Sequence, residues 1–273
     1  MEKIKSLEIF GTASTQTETN NILKEHDLDN CDCEVCGNTG YIVWLNDENV
    51  MCSKECECMA KRRSIRRIRN SGMSDMVKRY TFDNYLELDN YRSLIKQRAK
   101  EYLQDSTGWF YVCGQSGSGK SHICVAVCNG FMEMGKEVYY MGWREESVIL
   151  KSLVNNGEEY NAKMQKIKNV DVLYIDDFLK AGCSEADIRL AFEILNSRYN
   201  NEKLRTVISS EITLTGLFEI DEALAGRIYE RSAKPRYLIK APKENYRIRQ
   251  MTEEKFGEKN EVENKVVLSD SKV

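Results

Sequence analysis

The sequence has only two prolines, Pro235 and Pro242, so proline does not mark its domain boundaries. No apolar stretch approaches the length of a membrane span, and the first ten residues, MEKIKSLEIF, lack a signal-peptide core. The formal net charge is −3, so the composition does not indicate nucleic-acid binding, and any basic surface must be local. We therefore expect a cytosolic chain without membrane partners, whose 273 residues hold one large core and a smaller module.

The most informative segment is a glycine-rich turn. An apolar run, Trp109 to Cys113, leads into it, and a helix-like segment, Ser121 to Met134, follows. The turn reads G-x-x-x-x-G-K-S, in which glycines let backbone N–H groups point at phosphate oxygens and the helix N-terminus adds positive charge. Lys120 is expected to reach the β- and γ-phosphates, and Ser121 to ligate Mg²⁺. The segment predicts a nucleoside triphosphate site formed by Gly114, Gln115, Ser116, Gly117, Ser118, Gly119, Lys120, Ser121 and His122.

A second β-type run, residues 170–175, ends in two carboxylates, Asp176 and Asp177. Adjacent acids at the end of a buried strand are costly unless they meet a cation or water. With the glycine-rich turn upstream, we expect Asp176 to hold Mg²⁺ and Asp177 to activate the attacking water. A turn-forming Asp-Asp pair would be the better interpretation of either acid alone.

Six of the ten cysteines crowd one short stretch, which in a cytosolic chain indicates metal rather than disulfides. A CxxC knuckle is followed about twenty residues later by CSKECEC, with a hairpin-like insert between. This spacing suits a closed, tetrahedral, structural Zn²⁺ site. The preferred ligands are Cys33, Cys36, Cys56 and Cys58; Cys52 could replace Cys56, and Cys31 is the other spare.

Directly after the cysteines, six of the nine residues from 61 to 69 are basic, and the run is predicted to continue a helix that stops near Gly72. Two interpretations remain open. The run could form a surface for single-stranded nucleic acid or an acidic partner. It could equally be a solvated helix that links two domains.

The remaining pattern alternates β-type runs at 137–141, 206–210 and 236–239 with helical segments, notably Glu185 to Tyr199. This predicts an α/β fold in which a parallel sheet is covered by helices on both faces, with the nucleotide at the carboxyl ends of the strands. Ser209, Ser210 and Glu211 close one strand there. One of them could reach the γ-phosphate or its water, and a strand-end cap is nearly as good an interpretation.

Taken together, these motifs resemble a known family. In order they are a cysteine knuckle with CECM, a basic helix ending RNSGM, then RYTFDNY, GQSGSGKSH, YIDDF, VISSEIT, GRIYERS and ENYR. The series is similar to bacterial and phage replicative helicase loaders of the DnaC/DnaI type, AAA+ ATPases related to the IstB transposition helpers. The resemblance covers roughly residues 30 to 250.

The resemblance implies a five-stranded AAA+ sheet and three parts of the chain. Residues 1–75 would be a zinc module that grips the replicative helicase, 76–252 the ATPase core, and 253–273 a charged tail. It also implies an ATP-bound oligomer that assists the helicase hexamer while single-stranded DNA enters.

The same resemblance implies roles for single residues. Ser210 or Glu211 falls at sensor 1, and Arg247 at sensor 2. Arg231 matches the finger that reaches a neighbouring subunit's ATP, with Arg227 as the alternative. Tyr80, Thr81 and Phe82 lie where the family places the adenine. Asp177 stands where many AAA+ enzymes carry Glu, which favours slow hydrolysis, and the Ser-Ser-Glu sequence departs from the Asn often found at sensor 1.

Three alternatives to a loader are kept. A transposition or DNA-targeting ATPase of the IstB kind would bind duplex DNA. A P-loop small-molecule kinase would transfer phosphate to a metabolite, although no acceptor site is apparent. A nucleotide-gated adaptor would bind ATP and hardly turn it over.

Overall fold

The computed structural model describes residues 32–46, 48–70, 74–180, 183–233 and 236–241. Of the predicted site residues, Arg247 and the spare ligand Cys31 lie outside the described residues, as does the tail at 253–273. Within the described residues, no helix is both long and apolar enough to cross a membrane.

The N-terminal part is a hairpin followed by a helix. Strands β1 (Tyr41–Leu45) and β2 (Met51–Glu55) pair antiparallel, and helix α1 spans Cys58–Asn70. A short helix, α2 (Ser74–Arg79), follows it. The predicted basic helix therefore exists and ends within two residues of the expected stop at Gly72.

The core is a five-stranded parallel sheet. Its strands are β3 (Trp109–Cys113), β4 (Val138–Gly142), β5 (Val172–Asp176), β6 (Arg205–Ser210) and β7 (Leu238–Lys240). Their order across the sheet is β4-β5-β6-β3-β7, with every pair parallel. The helices of the core are α3 (Asn90–Gln104), α4 (Lys120–Glu133), α5 (Trp143–Leu153), α6 (Gly157–Asn169), α7 (Glu185–Tyr199), α8 (Leu214–Ile220) and α9 (Glu222–Ala233). The predicted fold class is confirmed.

Alternate residues of each central strand enter the two layers of the core, because successive side chains point to opposite faces of a sheet. On one face Trp109 and Tyr111 pack with α7 and α9. On the other, Phe110 and Val112 pack with α3 and α4. Strands β3, β5 and β6 are buried along their whole length, which explains the nearly continuous apolar runs of β3 and β5.

Helix α1 is docked on the edge strand β4. The Ser64 hydroxyl accepts a hydrogen bond from the Val138 N–H at 2.9 Å and lies 3.0 Å from the Lys136 carbonyl oxygen. Arg63 pairs with Glu137 at 2.9 Å and also with Glu55, and Arg62 is buried. Because these two basic side chains serve internal contacts, the structure favours the linking-helix interpretation of the basic run over a nucleic-acid surface.

Candidate functional site

The glycine-rich turn leaves β3 at the carboxyl edge of the sheet. Gly114 has φ +134°, and a Cβ there would lie 2.8 Å from the Cβ of Ala241, which follows the neighbouring strand β7. Gly117 and Gly119 also have positive φ, +78° and +88°. Side chains are disfavoured at all three positions, so the motif's glycines are required by backbone conformation and by close packing.

Lys120 begins α4 and is only 6% exposed. Its ammonium group donates hydrogen bonds to the carbonyl oxygens of Gly114 and Gln115, each at 2.8 Å. Burial lowers its pKa, and the nearby charges of Glu211 and Asp177 oppose that shift. The lysine is thus held against the turn by the same backbone that would surround a phosphate.

Asp176 ends β5 inside a cage of hydroxyl groups. Its Oδ1 accepts hydrogen bonds from Ser121 at 3.1 Å, from Tyr174 at 2.7 Å and from Ser209. Tyr140 donates to Oδ2 at 3.3 Å. The structure therefore brings together the two predicted Mg²⁺ ligands, Ser121 and Asp176, and their hard oxygen atoms fit that ion.

Asp177 stands in a left-handed turn (φ +52°), and its backbone N–H donates to the Ser209 hydroxyl at 3.1 Å. Its carboxylate lies 3.1 Å from the ammonium group of Lys180, which also contacts Glu211 at 2.9 Å. The sequence does not predict Lys180 as a site residue, and it offers Ser209 only as one of three strand-end residues that could reach the γ-phosphate. Their contacts depend on how two strand ends meet, which the spacing of the sequence does not show.

Residues of the glycine-rich turn line one cavity of about 410 Å³ together with Lys120, Ser121, Asp177, Lys180 and Glu211. Its wall also includes Tyr80, Asn84, Tyr85 and Leu86 from the segment before α3, and Arg92 from α3 itself. The Tyr80 ring stacks on His122 with centroids 4.6 Å apart, and burial lowers the pKa of His122. Phe82 is not among the lining residues; it packs against the core beneath Lys100. The aromatic wall of the cavity is therefore Tyr80 and Tyr85 rather than Tyr80 and Phe82.

The cysteine cluster lies at the other end of the chain's described part. The sulfur atoms of Cys33, Cys36, Cys56 and Cys58 all lie within 4.8 Å of one another. Cys52 stays apart: it pairs with Trp44 inside the hairpin, and its thiol lies 3.7 Å from the Val50 carbonyl oxygen. The preferred ligand set is thus assembled in space, and four sulfur ligands suit Zn²⁺.

Polar groups hold the knuckle around this cluster. The Asn38 amide oxygen accepts from the Cys33 N–H at 2.8 Å and from the buried Arg62 at 3.1 Å. A hydrogen bond from the Cys36 backbone lowers the pKa of Cys33 to about 7, while burial raises the pKa of Cys58 to about 12. Metal binding at this site would release protons, since zinc takes thiolates.

A protein-family model described as IstB-like ATP binding protein matches residues 41–254, far more than half of the chain. The chain belongs to the IstB-like ATP-binding protein family. This agrees with the resemblance read from the motifs, and the family's description supports ATP binding by this chain.

Relatives of this IstB-like chain come from phage-like elements and from replication. The phage-like element PBSX protein XkdC of Bacillus subtilis is 31% identical over 233 residues, covering 79% of this chain and 85% of XkdC. Protein YqaM of the same organism is 31% identical over 195 residues, 65% of this chain and 60% of YqaM. The replicative helicase loader DnaC of Escherichia coli is 22% identical over 196 residues, covering 70% of this chain and 78% of DnaC.

Two solved structures share the fold. A crystal structure of the DnaC helicase loader aligns with a TM-score of 0.50 at 21% identity, covering 61% of this chain and 98% of that one. AMPPCP-bound DnaA from Aquifex aeolicus aligns with a TM-score of 0.52 at 22% identity, covering 66% of this chain and 56% of DnaA. The AAA+ architecture predicted for this IstB-like chain is therefore confirmed.

The sensor candidates differ in where their side chains point. The Ser210 hydroxyl is fully buried, donates to the Phe178 carbonyl oxygen at 2.9 Å and accepts from the Ile212 N–H at 3.0 Å. This placement does not support Ser210 as a sensor or catalytic residue; its hydroxyl caps the strand end. Glu211 does line the cavity.

The two arginines of α9 do not line the cavity of their own chain. Arg231 is 9% exposed and lies 3.4 Å from Glu202, and its Nε and Nη2 atoms have no hydrogen-bond partner. Arg227 donates to Asn196 at 2.9 Å and lies over the Phe192 ring. The finger role of either residue stays a prediction, since it requires a second subunit.

Proposed function

We propose that this IstB-like chain is an ATP-dependent loader that binds the replicative DNA helicase hexamer and assists its deposition on single-stranded DNA. The observation that carries the proposal is the joining of two sites in one chain. A four-cysteine module is docked through α1 onto the sheet that holds a complete phosphate-binding turn. Homology to the loader DnaC of Escherichia coli over 78% of its length supports the same conclusion.

In this function the ATP site hydrolyses its nucleotide. Ser121 and Asp176 would hold Mg²⁺, which neutralises charge on the β- and γ-phosphates. Lys120 binds the same phosphates, and Asp177 orients the attacking water. Hydrolysis should be slow because the Asp177 side chain is one methylene shorter than the Glu that many AAA+ enzymes carry at this position.

The helicase would contact an exposed apolar face of the hairpin. Tyr41, Val43, Leu45 and Met51 lie on one side of it, since Leu45 pairs with Met51 and side chains alternate along each strand. Each of them is between 47% and 74% exposed. Clustered apolar side chains at a protein surface indicate an interaction site, and the adjacent metal cluster would hold this face rigid.

The first experiment mixes the chain with the replicative helicase of its host, with ATP, Mg²⁺ and Zn²⁺, and weighs the species by native mass spectrometry. We expect a helicase hexamer that carries several copies of the chain. The Met51→Asp variant should weaken this complex by at least about tenfold, because one hot-spot side chain contributes roughly 2 kcal/mol. Lys54→Asp, on the opposite face of the hairpin, is the matched control. Absence of any complex at micromolar concentration, in both ATP and ADP, would refute the loader.

Arg231 provides a separate prediction about assembly. Arg231→Ala should leave ATP binding intact and either weaken DNA-dependent self-assembly or lower hydrolysis by about 1,000-fold or more, the range seen for arginine fingers. The ATPase rate and the mass of the ATP-bound oligomer are the measurements. Arg231→Lys separates loss of the guanidinium from loss of packing, because Arg231 is buried. An oligomeric ATPase that is unchanged in Arg231→Ala but lost in Arg227→Ala would transfer the role to Arg227.

A second candidate function has one specific observation in its favour, the match to the IstB-like family model. In that case the chain would be a transposition or targeting ATPase that binds duplex DNA. A footprint on duplex DNA, together with no helicase contact in the experiment above, would establish this alternative. The exposed apolar hairpin face favours the loader, because a DNA-binding role does not require it.

A further inference from the structure

The turn after β5 sends neighbouring side chains in opposite directions. Phe178 and Leu179 are buried in the core, whereas Asp177 and Lys180 line the ATP cavity. Both Asp177 and Leu179 have positive φ, +52° and +56°, which side-chain-bearing residues rarely adopt. The Phe178 N–H donates to the Ser209 carbonyl oxygen at 2.9 Å. Packing and this hydrogen bond hold the turn in a conformation that directs Lys180 at the cavity.

The Lys180 ammonium group is shared by two carboxylates. It lies 3.1 Å from Asp177 and 2.9 Å from Glu211, and both of these acids line the same cavity. The hydrogen bond with Glu211 raises the pKa of Lys180, so the side chain is charged at neutral pH. Lys120, in contrast, is bonded to two backbone carbonyl oxygens. Lys180 is therefore the lysine of this cavity whose present partners are anions.

A nucleotide that enters the cavity changes this balance of charge. The γ-phosphate adds negative charge beside Asp177 and Glu211, and like charges in a partly buried site repel each other strongly. An ammonium group that already lies between the two carboxylates can contact the phosphate with little movement. Such a contact would also release the Asp177 carboxylate to a water molecule.

We propose that Lys180 binds the γ-phosphate of ATP. In doing so it leaves Asp177, so that the Asp177 carboxylate is available for hydrolysis only when a triphosphate is bound. Lys180 is thus a second phosphate-binding lysine, and Glu211 is the residue that positions it. The inference rests on the proposed function only in that the chain binds and hydrolyses ATP; it requires neither the helicase nor DNA.

The test compares a triphosphate with a diphosphate. Lys180→Met should raise the Kd for the non-hydrolysable analogue AMPPCP with Mg²⁺ by roughly 10- to 100-fold, the value of one charged hydrogen bond. The Kd for ADP should stay within about twofold of wild type, since ADP has no γ-phosphate. Lys180→Arg, which keeps the charge, should retain most of the preference for AMPPCP. An equal loss of affinity for both nucleotides would overturn the proposal.

A double variant separates phosphate binding from simple charge screening. If Lys180 only neutralises Glu211, then Lys180→Met/Glu211→Gln should bind AMPPCP as wild type does, and this result would also overturn the proposal. If Lys180 contacts the phosphate, the double variant keeps the selective loss. This test contains no helicase, so a failed loader experiment would not change its result. In the same way, a negative result here would not count against the helicase complex.

Discussion

Replacement of Lys120 by alanine is expected to abolish ATP binding, with the Kd for ATP raised by at least about 100-fold. The variant removes a charged hydrogen-bond donor to the phosphates, worth roughly 1.5–3 kcal/mol. Because Lys120 is predicted to reach both the β- and the γ-phosphate, two such hydrogen bonds are lost. A combined loss of about 3 kcal/mol or more is a factor above 100 in affinity.

Fluorescent-nucleotide titration or calorimetry measures this change, with thermal unfolding as the check on folding. Lys163→Ala is the matched control, because Lys163 forms an ion pair with Glu146 at 2.6 Å and does not line the ATP cavity. The control should bind ATP as wild type does. Normal ATP affinity in Lys120→Ala would discredit the assignment of the glycine-rich turn.

The elements of the core could be predicted because each is specified by its own residues. The apolar run Trp109–Cys113 is strand β3 with those bounds, and Glu185–Tyr199 is helix α7. Buried parallel strands need continuous apolar runs, and α7 begins with a capping box in which Ser184 and Asp187 bond each other's backbone N–H groups. Local chemistry of this kind is visible without knowledge of the fold.

Contacts between distant segments could not be predicted in the same way. Whether Ser209 or Ser210 faces Asp176 depends on the register of β5 with β6, since adjacent residues of a strand point to opposite faces. From the sequence alone, Arg63 would be interpreted as a free surface charge. The structure places it beside Glu137, which is 74 residues away in the chain. From the sequence alone, Lys180 would be interpreted as an ordinary loop lysine. Only the structure shows that the turn carrying it is bonded to β6.

The choice between Cys52 and Cys56 as a zinc ligand also depends on contacts that could not be predicted from the sequence. Spacing alone permits either as the fourth ligand, because both lie about twenty residues after the CxxC knuckle. The hairpin decides between them: Cys52 lies within β2, opposite Trp44, whereas Cys56 follows the end of that strand. The chain bends after β2 and carries Cys56 and Cys58 to the knuckle.

Replacement of Cys33 and Cys36 by serine should release about one metal ion per chain, because a structural zinc site of four cysteines holds one ion. Metal binding contributes roughly 10–16 kcal/mol to the folding of small zinc modules. The hairpin exposes most of its apolar side chains and has little core of its own. Without the metal it should therefore unfold, and the helicase complex should be lost with it.

The same variant should bind ATP with wild-type affinity. The two apolar layers of the core close around the sheet, and no residue of the hairpin lines the described ATP cavity. Metal analysis of the purified chain, paired with nucleotide titration, measures both halves of the prediction. Cys52→Ser is the matched control and should keep its metal. Wild-type metal content in the double variant would refute the site, whereas loss of ATP binding would show that the docked helix α1, through Ser64 and Arg63, supports the core.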